Sequence, residues 1–161
     1  MTGSYRVFKN DTLSGVIVNT RINQPKVSGI CGEYAFRLSK KIGLQGEMYA
    51  GQALGNYMGS ILQTTKGMYD KEIRSAGYWA EAVFFWQKNL QTRIGYGEDE
   101  CNKDDLKGVG VWKNSTLFSN IIWDINKTLS TGLELSYKKT QYLGLRDNEG
   151  MTFMWTFQFS L

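Results

Sequence analysis

The segment from Met151 to Leu161 constrains the fold more than any other part of the chain. Every second residue is large and apolar, and the residues between them are mostly small and polar. This period of two is typical of a β-strand, because successive side chains point to opposite faces. The apolar positions are Met151, Phe153, Trp155, Phe157, Phe159 and Leu161. Such a row of large apolar side chains must face either a protein core or lipid.

The composition favours a chain of strands and turns. Its 161 residues include 18 Gly and one Pro, and 14% are aromatic, which does not suit a disordered chain. The sequence contains no apolar run long enough for a transmembrane helix, but the strands of a membrane barrel alternate and would escape that test. The first residues, MTGSYRVFKNDTL, contain no apolar signal-peptide core. We therefore expect a mature form, a fragment or a protein that is not exported.

Charge and residue types argue against several functions. The net charge is +4, but Lys and Arg are scattered, so we expect no nucleic-acid partner. His is absent, which removes Ser-His and Cys-His catalysis and most zinc sites, and neither Cys31 nor Cys101 has metal-ligand spacing. The acidic GEDECNKDD run lacks the spacing of a calcium loop. We expect no enzyme activity, no catalytic residue, no metal and no cofactor.

Alternation recurs along the chain, and no helical period is sustained. Residues 4–9 are predicted as a partial strand. The other predicted strands are 13–22, 28–38, 44–51, 72–86, 90–96, 116–125, 129–138 and the terminal segment. The links alternate in length: those at 39–43, 87–89 and 126–128 are short, and those at 52–71, 97–110 and 139–150 are long. Short turns at one end and long loops at the other are typical of an outer-membrane barrel.

These patterns predict an all-β fold, an antiparallel up-and-down transmembrane β-barrel with eight to nine strands in this chain. Residues 1–161 would form a single barrel domain or the carboxyl-terminal portion of a larger barrel. The apolar faces carry aromatic residues near the strand ends, where membrane barrels have girdles. These residues are Tyr34, Phe36, Tyr78, Trp86, Tyr96, Trp123, Tyr137 and Phe159.

Charges of both signs lie on the opposite faces and are the candidate pore-lining residues. They are Arg21, Glu33, Arg37, Glu47, Glu81, Arg93, Glu134 and Lys138. In a barrel of only eight strands, the arginines would pair with the glutamates and fill the interior. In a wider barrel, the same side chains would line water and select solutes by charge.

Two other functions fit the same alternation. A closed eight-stranded barrel could act as a structural or adhesive protein through its loops and would conduct nothing. A soluble lipocalin-like barrel could hold an apolar ligand, but it would need the aromatic face inside.

The terminal pattern resembles the last strand that the barrel-assembly machinery recognises in bacterial outer-membrane proteins, although those usually end in Phe and this chain ends in Leu161. The segments GQALGNYMGSI, EIRSAGYWAEA, LQTRIGYGEDE, NSTLFSNIIWDI and LSTGLELSYKKTQYLGL are similar to the carboxyl-terminal part of large porin-like proteins of Gram-negative bacteria, including the DcaP-like porins. The resemblance implies an outer-membrane channel for passive diffusion of small hydrophilic solutes. Its partners would be outer-membrane lipid and the assembly machinery, with a homotrimer left open.

Overall fold

The computed structural model describes residues 2–4, 12–13, 16–17, 26–57, 59–65, 71–106, 108 and 110–160. The strands are β1 Thr2–Ser4, β2 Thr12–Leu13, β3 Val16–Ile17, β4 Lys26–Arg37, β5 Ile42–Gln52, β6 Arg74–Gln87, β7 Leu90–Cys101, β8 Gly110–Asp124, β9 Leu129–Leu143 and β10 Asn148–Phe159. Two short 3-10 helices, Leu54–Tyr57 and Ser60–Leu62, follow β5, and one helical turn, α1 Lys103–Leu106, follows β7.

Strands β4 to β10 form one antiparallel meander, in which each strand pairs with the next one along the chain. Strand β1 adds to the β4 edge through residues 26–28, and β2 and β3 form a separate small hairpin. The predicted all-β antiparallel up-and-down fold is therefore confirmed.

The predicted strand over residues 13–22 is wrong. Leu13 pairs with Val16, so the chain reverses there instead of continuing. Ser and Gly stand between the two residues, and they are typical of a tight hairpin turn. Residues 18–25, including the predicted pore residue Arg21, lie outside the described residues, as do most of the predicted partial strand 4–9 and Leu161.

Strands β7 to β10 are longer at the loop end than their alternation indicated. Strand β7 continues to Cys101, β8 begins at Gly110, and β9 continues to Leu143. The predicted loops 97–110 and 139–150 shrink to residues 102–109 and 144–147. Opposite charges in register hold these extensions together, since Glu100 pairs with Lys113 across β7 and β8. Among the links that join β4 to β10, the one over residues 53–73 remains long.

The register sorts the side chains of all seven long strands onto two faces. Directly paired residues lie on the same face. One row across β4 to β10 reads Tyr34, Gly46, Ala80, Tyr96, Leu117, Tyr137 and Met151. The adjacent row on the other face reads Glu33, Glu47, Trp79, Gly97, Thr116, Lys138 and Gly150. We refer to them as the apolar face and the polar face.

The buried core is small and lies at the loop end. Ile73, Cys101 and Leu106 are buried there, with the partly buried Ile61 and Trp112 packed against them. The aromatic residues of β10 are mostly in the open instead: Phe153 is 69% exposed, Trp155 63% and Phe159 73%. Among the described residues, nothing covers the apolar face as a protein core would.

The sheet has two edges that run in the same direction. Seven sequential antiparallel strands leave the first, β4, parallel to the last, β10. Among the described residues, β10 has no partner beyond β9, and β4 is paired by β1 only over residues 26–28. Antiparallel closure of this sheet therefore requires an odd number of further strands between β10 and β4, of which β1 is the first.

Candidate pore-lining face and its folded loop

All of the predicted pore residues that the structure describes lie on the polar face. They are Glu33 and Arg37 on β4, Glu47 on β5, Glu81 on β6, Arg93 on β7, and Glu134 and Lys138 on β9. Their common face follows from the register alone. Their role in lining a pore stays a prediction, and Arg21 is outside the described residues.

Arg93 and Glu81 form an ion pair across β6 and β7. The guanidinium Nη1 of Arg93 lies 3.1 Å from Glu81 Oε1, and the amide of Gln45 donates to the same oxygen at 2.6 Å. Glu81 is only 6% exposed. A carboxylate this buried needs such donors, because an unpaired buried charge is costly. The expected arginine–carboxylate pairing is present here.

Arg37 is held differently: its guanidinium donates to backbone carbonyl groups, and no carboxylate pairs with it among the residues that the structure describes. Its Nε donates to the carbonyl oxygen of Ser39 at 3.0 Å, and its Nη2 donates to that of Lys40 at 2.8 Å. The guanidinium also lies 3.6 Å from the centre of the Phe85 ring. Arg37 therefore stabilises the short turn after β4, where two of its five N–H donors are used.

Glu33 and Glu47 lie directly opposite each other on β4 and β5. Neither has a basic partner among the residues that the structure describes, and the Cys31 thiol donates to Glu47 at 3.1 Å. Two like charges in direct register destabilise a sheet unless solvent screens them. This pair therefore indicates a hydrated polar face.

Unsatisfied polar atoms support the same conclusion. Arg93 Nε, Asn114 Oδ1 and Asn120 Oδ1 are buried and have no partner among the described residues. All three residues are on the polar face, where Asn120 also approaches Glu134 at 3.5 Å. Each unsatisfied group costs about 1–3 kcal/mol unless water reaches it. Water along the polar face would remove that cost.

The long link after β5 lies on the polar face at the loop end of the sheet. A Cβ added at Gly29 or Gly51, which pair on this face, would come 3.1 Å and 2.8 Å from the Leu54 side chain. The Leu54 side chain thus occupies the space where β4 and β5 have no side chains. We call the described residues 53–57 and 59–65 the inner loop.

Asp99 anchors the inner loop to the sheet. One carboxylate oxygen accepts from the Tyr49 hydroxyl, and the other accepts from the Ile61 backbone N–H at 2.9 Å. Gln63 donates to the Val111 carbonyl oxygen at 2.6 Å. From the sequence, Asp99 was considered only as a calcium ligand in the acidic GEDECNKDD run, which was interpreted as a solvated loop, so this anchoring role was missed. The glycines on the polar face were the feature of the sequence that could have indicated where the inner loop lies.

A second anchor fixes α1 at the same end. Arg74 donates through Nε to Asp105 Oδ2 at 2.7 Å and through Nη2 to Oδ1 at 3.1 Å. The Arg74 guanidinium holds the pKa of Asp105 below its ordinary value. This fork keeps Leu106 packed on Ile73, under the inner loop.

The apolar face is bounded by aromatic residues at both ends, as predicted. Near the short turns stand Phe36, Trp86, Trp123 and Phe159, and toward the loops stand Tyr78, Tyr96 and Tyr137. Beyond these tyrosines the face becomes charged. Lys113 lies 2.6 Å from Glu98, and Tyr96 donates to Glu98 at 2.6 Å. An apolar band with a tyrosine rim and charges above it fits the thickness and interface of a bilayer.

Other kinds of site find no support in the described part of the chain. No helix there is long and apolar enough to cross a membrane. The described residues also contain no cluster of His, Cys, Asp and Glu that could hold a metal ion. Cys31 is exposed and Cys101 is buried, and the two are not joined by a disulfide.

A meander with one apolar face suited to lipid and one charged face suited to water is the wall of a transmembrane β-barrel. The comparison with solved structures agrees with this fold. The chain is similar to the outer membrane channel DcaP of Acinetobacter baumannii, with a TM-score of 0.66 and 11% sequence identity over 86% of this chain. The match spans 42% of the DcaP chain, so this chain covers less than half the length of that protein. No protein-family model and no curated protein match the sequence.

Proposed function

We propose that this chain forms part of the wall of an outer-membrane channel, through which small hydrophilic solutes diffuse passively. The observation that carries the proposal is the register, which places every described candidate charge behind a continuous apolar band. A soluble lipocalin-like barrel would require the reverse arrangement, with the aromatic rings inside. The likeness to a solved outer membrane channel supports the same location and role.

The inner loop favours a wide barrel over a closed eight-stranded one. An eight-stranded barrel has an interior just large enough for its own side chains. Here a stretch of backbone with two 3-10 helices also occupies the polar face. Because the edge strands β4 and β10 run in the same direction, one further strand or any larger odd number would close the sheet. The direction of the edges is therefore compatible with an eight-stranded barrel and with a wider one.

The free charges on the polar face favour cations. The charge of Arg93 is neutralised by Glu81. The guanidinium of Arg37 donates to carbonyl oxygens in the short turn after β4 and keeps its charge. Glu33 and Glu47 have no basic partner among the described residues, so the wall formed by β4 and β5 is acidic. Charges that line a pore act on permeating ions according to sign. Lys138 on β9 lies further along the same face and opposes this field.

The surroundings of the barrel follow from its apolar face. Outer-membrane lipid would cover the aromatic band, and the barrel-assembly machinery would bind the terminal strand through Phe153, Trp155, Phe157 and Phe159. Leu161 would complete that signal and lies outside the described residues. A Gram-negative host and a homotrimer belong to the same proposal.

Planar-bilayer recording tests the proposal. We expect the chain, folded with detergent and inserted into a bilayer, to give stepwise conductance with a preference for K⁺ over Cl⁻. Glu47→Gln should lower that preference, whereas Glu149→Gln, a change on the apolar side beyond the tyrosine rim, should leave it unchanged. Stable insertion without conductance would favour the structural barrel, and a compact protein that needs no detergent would favour the lipocalin-like one.

A further inference from the structure

Trp79 on β6 is a large aromatic side chain that lies on the polar face and is 38% exposed. Other rings on this face have partners on the sheet: Tyr49 lies over Gly77, and Phe85 receives the Arg37 guanidinium. Among the described residues, the Trp79 indole makes no hydrogen bond and no ring contact. Its ring and its N–H are therefore available to a solute.

We propose that Trp79 and Glu47 form a binding subsite for solutes that carry an alkylammonium group. The inference deepens the proposed function and rests on it for the role of the subsite in transport, because it names a class of solute that the channel would admit.

Two grooves on the polar face share Trp79 and Glu47 in their walls. The groove toward β4 has a volume of about 370 Å³ and also includes Glu33. The groove toward β8 has a volume of about 260 Å³ and also includes Gly97 and Thr116. Both volumes are near the lower end for ligand pockets, about 300–1,000 Å³, so they suit a small solute.

The charge beside the ring is negative. Glu47 lies directly opposite Trp79 on one side and Glu33 on the other. Directly paired residues of an antiparallel sheet have their Cβ atoms about 4.5–5.5 Å apart, so one bound group can contact both Glu47 and the ring. Among the described residues, the Cys31 thiol is the one donor that reaches Glu47. A cation bound here would relieve the repulsion between the two carboxylates.

The ring determines which cation is preferred. The face of an indole attracts cations, and aromatic rings are the common partners of quaternary ammonium groups. K⁺ shares the attraction to the carboxylates, but an alkylated ammonium also places apolar groups against Trp79. A neutral solute gains the ring contact alone, and an anionic one is repelled by Glu47. The arrangement therefore favours an organic cation over each of these.

Choline and the neutral alcohol in which carbon replaces its quaternary nitrogen are the probes, because they differ in charge and little in shape. Broadening of the methyl proton signal in a concentration series measures the binding of each probe to the complete chain, folded in detergent. This measurement does not require conductance. We expect the wild type to bind choline more tightly than the alcohol by roughly two- to fivefold, the size of a cation–π contact at an exposed site.

The variants separate the ring from the charge. Trp79→Leu should lower the affinity for choline by roughly two- to fivefold, and Trp79→Phe should lower it less, because Trp is the strongest partner of a cation. Glu47→Gln should weaken choline binding and leave binding of the neutral alcohol unchanged. Trp123→Leu is the matched control, since it removes a tryptophan that is 50% exposed on the apolar face, and it should match the wild type.

A planar-bilayer recording made in parallel distinguishes this inference from the proposed function. Choline should reduce the K⁺ current over the concentration range in which it binds. If no current flows but choline binding depends on Trp79, the channel proposal fails and the subsite is retained.

Two results would overturn the inference in a protein that conducts. One is equal binding of both probes by the wild type, which would assign the ring to neutral solutes. The other is an affinity for choline that is unchanged in Trp79→Leu. If that variant does not fold, Trp79→Phe and the comparison of the two probes on the wild type decide the matter.

Discussion

The two faces of this sheet follow different rules. On the apolar face, any large apolar side chain at the alternate positions serves, because lipid requires no particular partner. On the polar face each charge has its own arrangement: Arg93 pairs with Glu81, whereas Arg37 binds carbonyl groups in a turn. Alternation therefore predicts which way a side chain points, and only the fold determines what it contacts.

The largest effect is expected from placing a charge on the apolar face. Trp155→Arg should weaken folding into lipid vesicles by about 2–4 kcal/mol, the cost of an arginine near the bilayer midplane. Thr156→Arg is the control, because it adds the same side chain one residue further along β10, on the polar face. Equilibrium unfolding in urea measures both variants. Equal losses would contradict the assignment of the two faces.

A smaller effect separates the two arginines of the polar face. Arg93→Gln leaves Glu81 buried with Gln45 as a donor but without its positive partner, and we expect a loss of about 1–3 kcal/mol in the free energy of unfolding. Glu81→Gln in the same chain should recover part of that loss. Arg37→Gln, at an exposed turn, should cost less. A double-mutant cycle measures the coupling, and a cycle energy near zero would show that the pair contributes nothing.

The smallest effect depends on pH and lies outside the apolar band. The pKa of Asp105 is lowered in the folded state by Arg74, so its contribution to stability is present above the ordinary carboxyl pKa and is lost as pH falls through the lowered value. The difference in unfolding free energy between the wild type and Asp105→Asn should therefore be constant near neutral pH. It should shrink below about pH 4, the ordinary range of a carboxyl group. A difference that does not change with pH would exclude the ion pair as its source.

Alternation predicted the strands between Lys26 and Phe159, their aromatic rims and, except in β8, their facing, because each of these depends only on neighbours along one strand. It underestimated β7 and β9, whose outer ends are charged and so resemble loops until the register pairs them. It also missed the role of Asp99, whose partners lie 50 and 38 residues away in the sequence. Contacts of that kind depend on the register across several strands and on the absence of a side chain at Gly77.

The shared direction of β4 and β10 limits how such a wall can change in size. A hairpin inserted between them adds two strands and leaves their relative direction unchanged, so the circumference can grow in steps of two without new pairing rules. A change of a single strand would set two parallel neighbours side by side and replace an antiparallel ladder by a slightly less stable parallel one. Barrels of this design are therefore expected to diversify by gaining or losing whole hairpins, with the pore diameter rising or falling at each step.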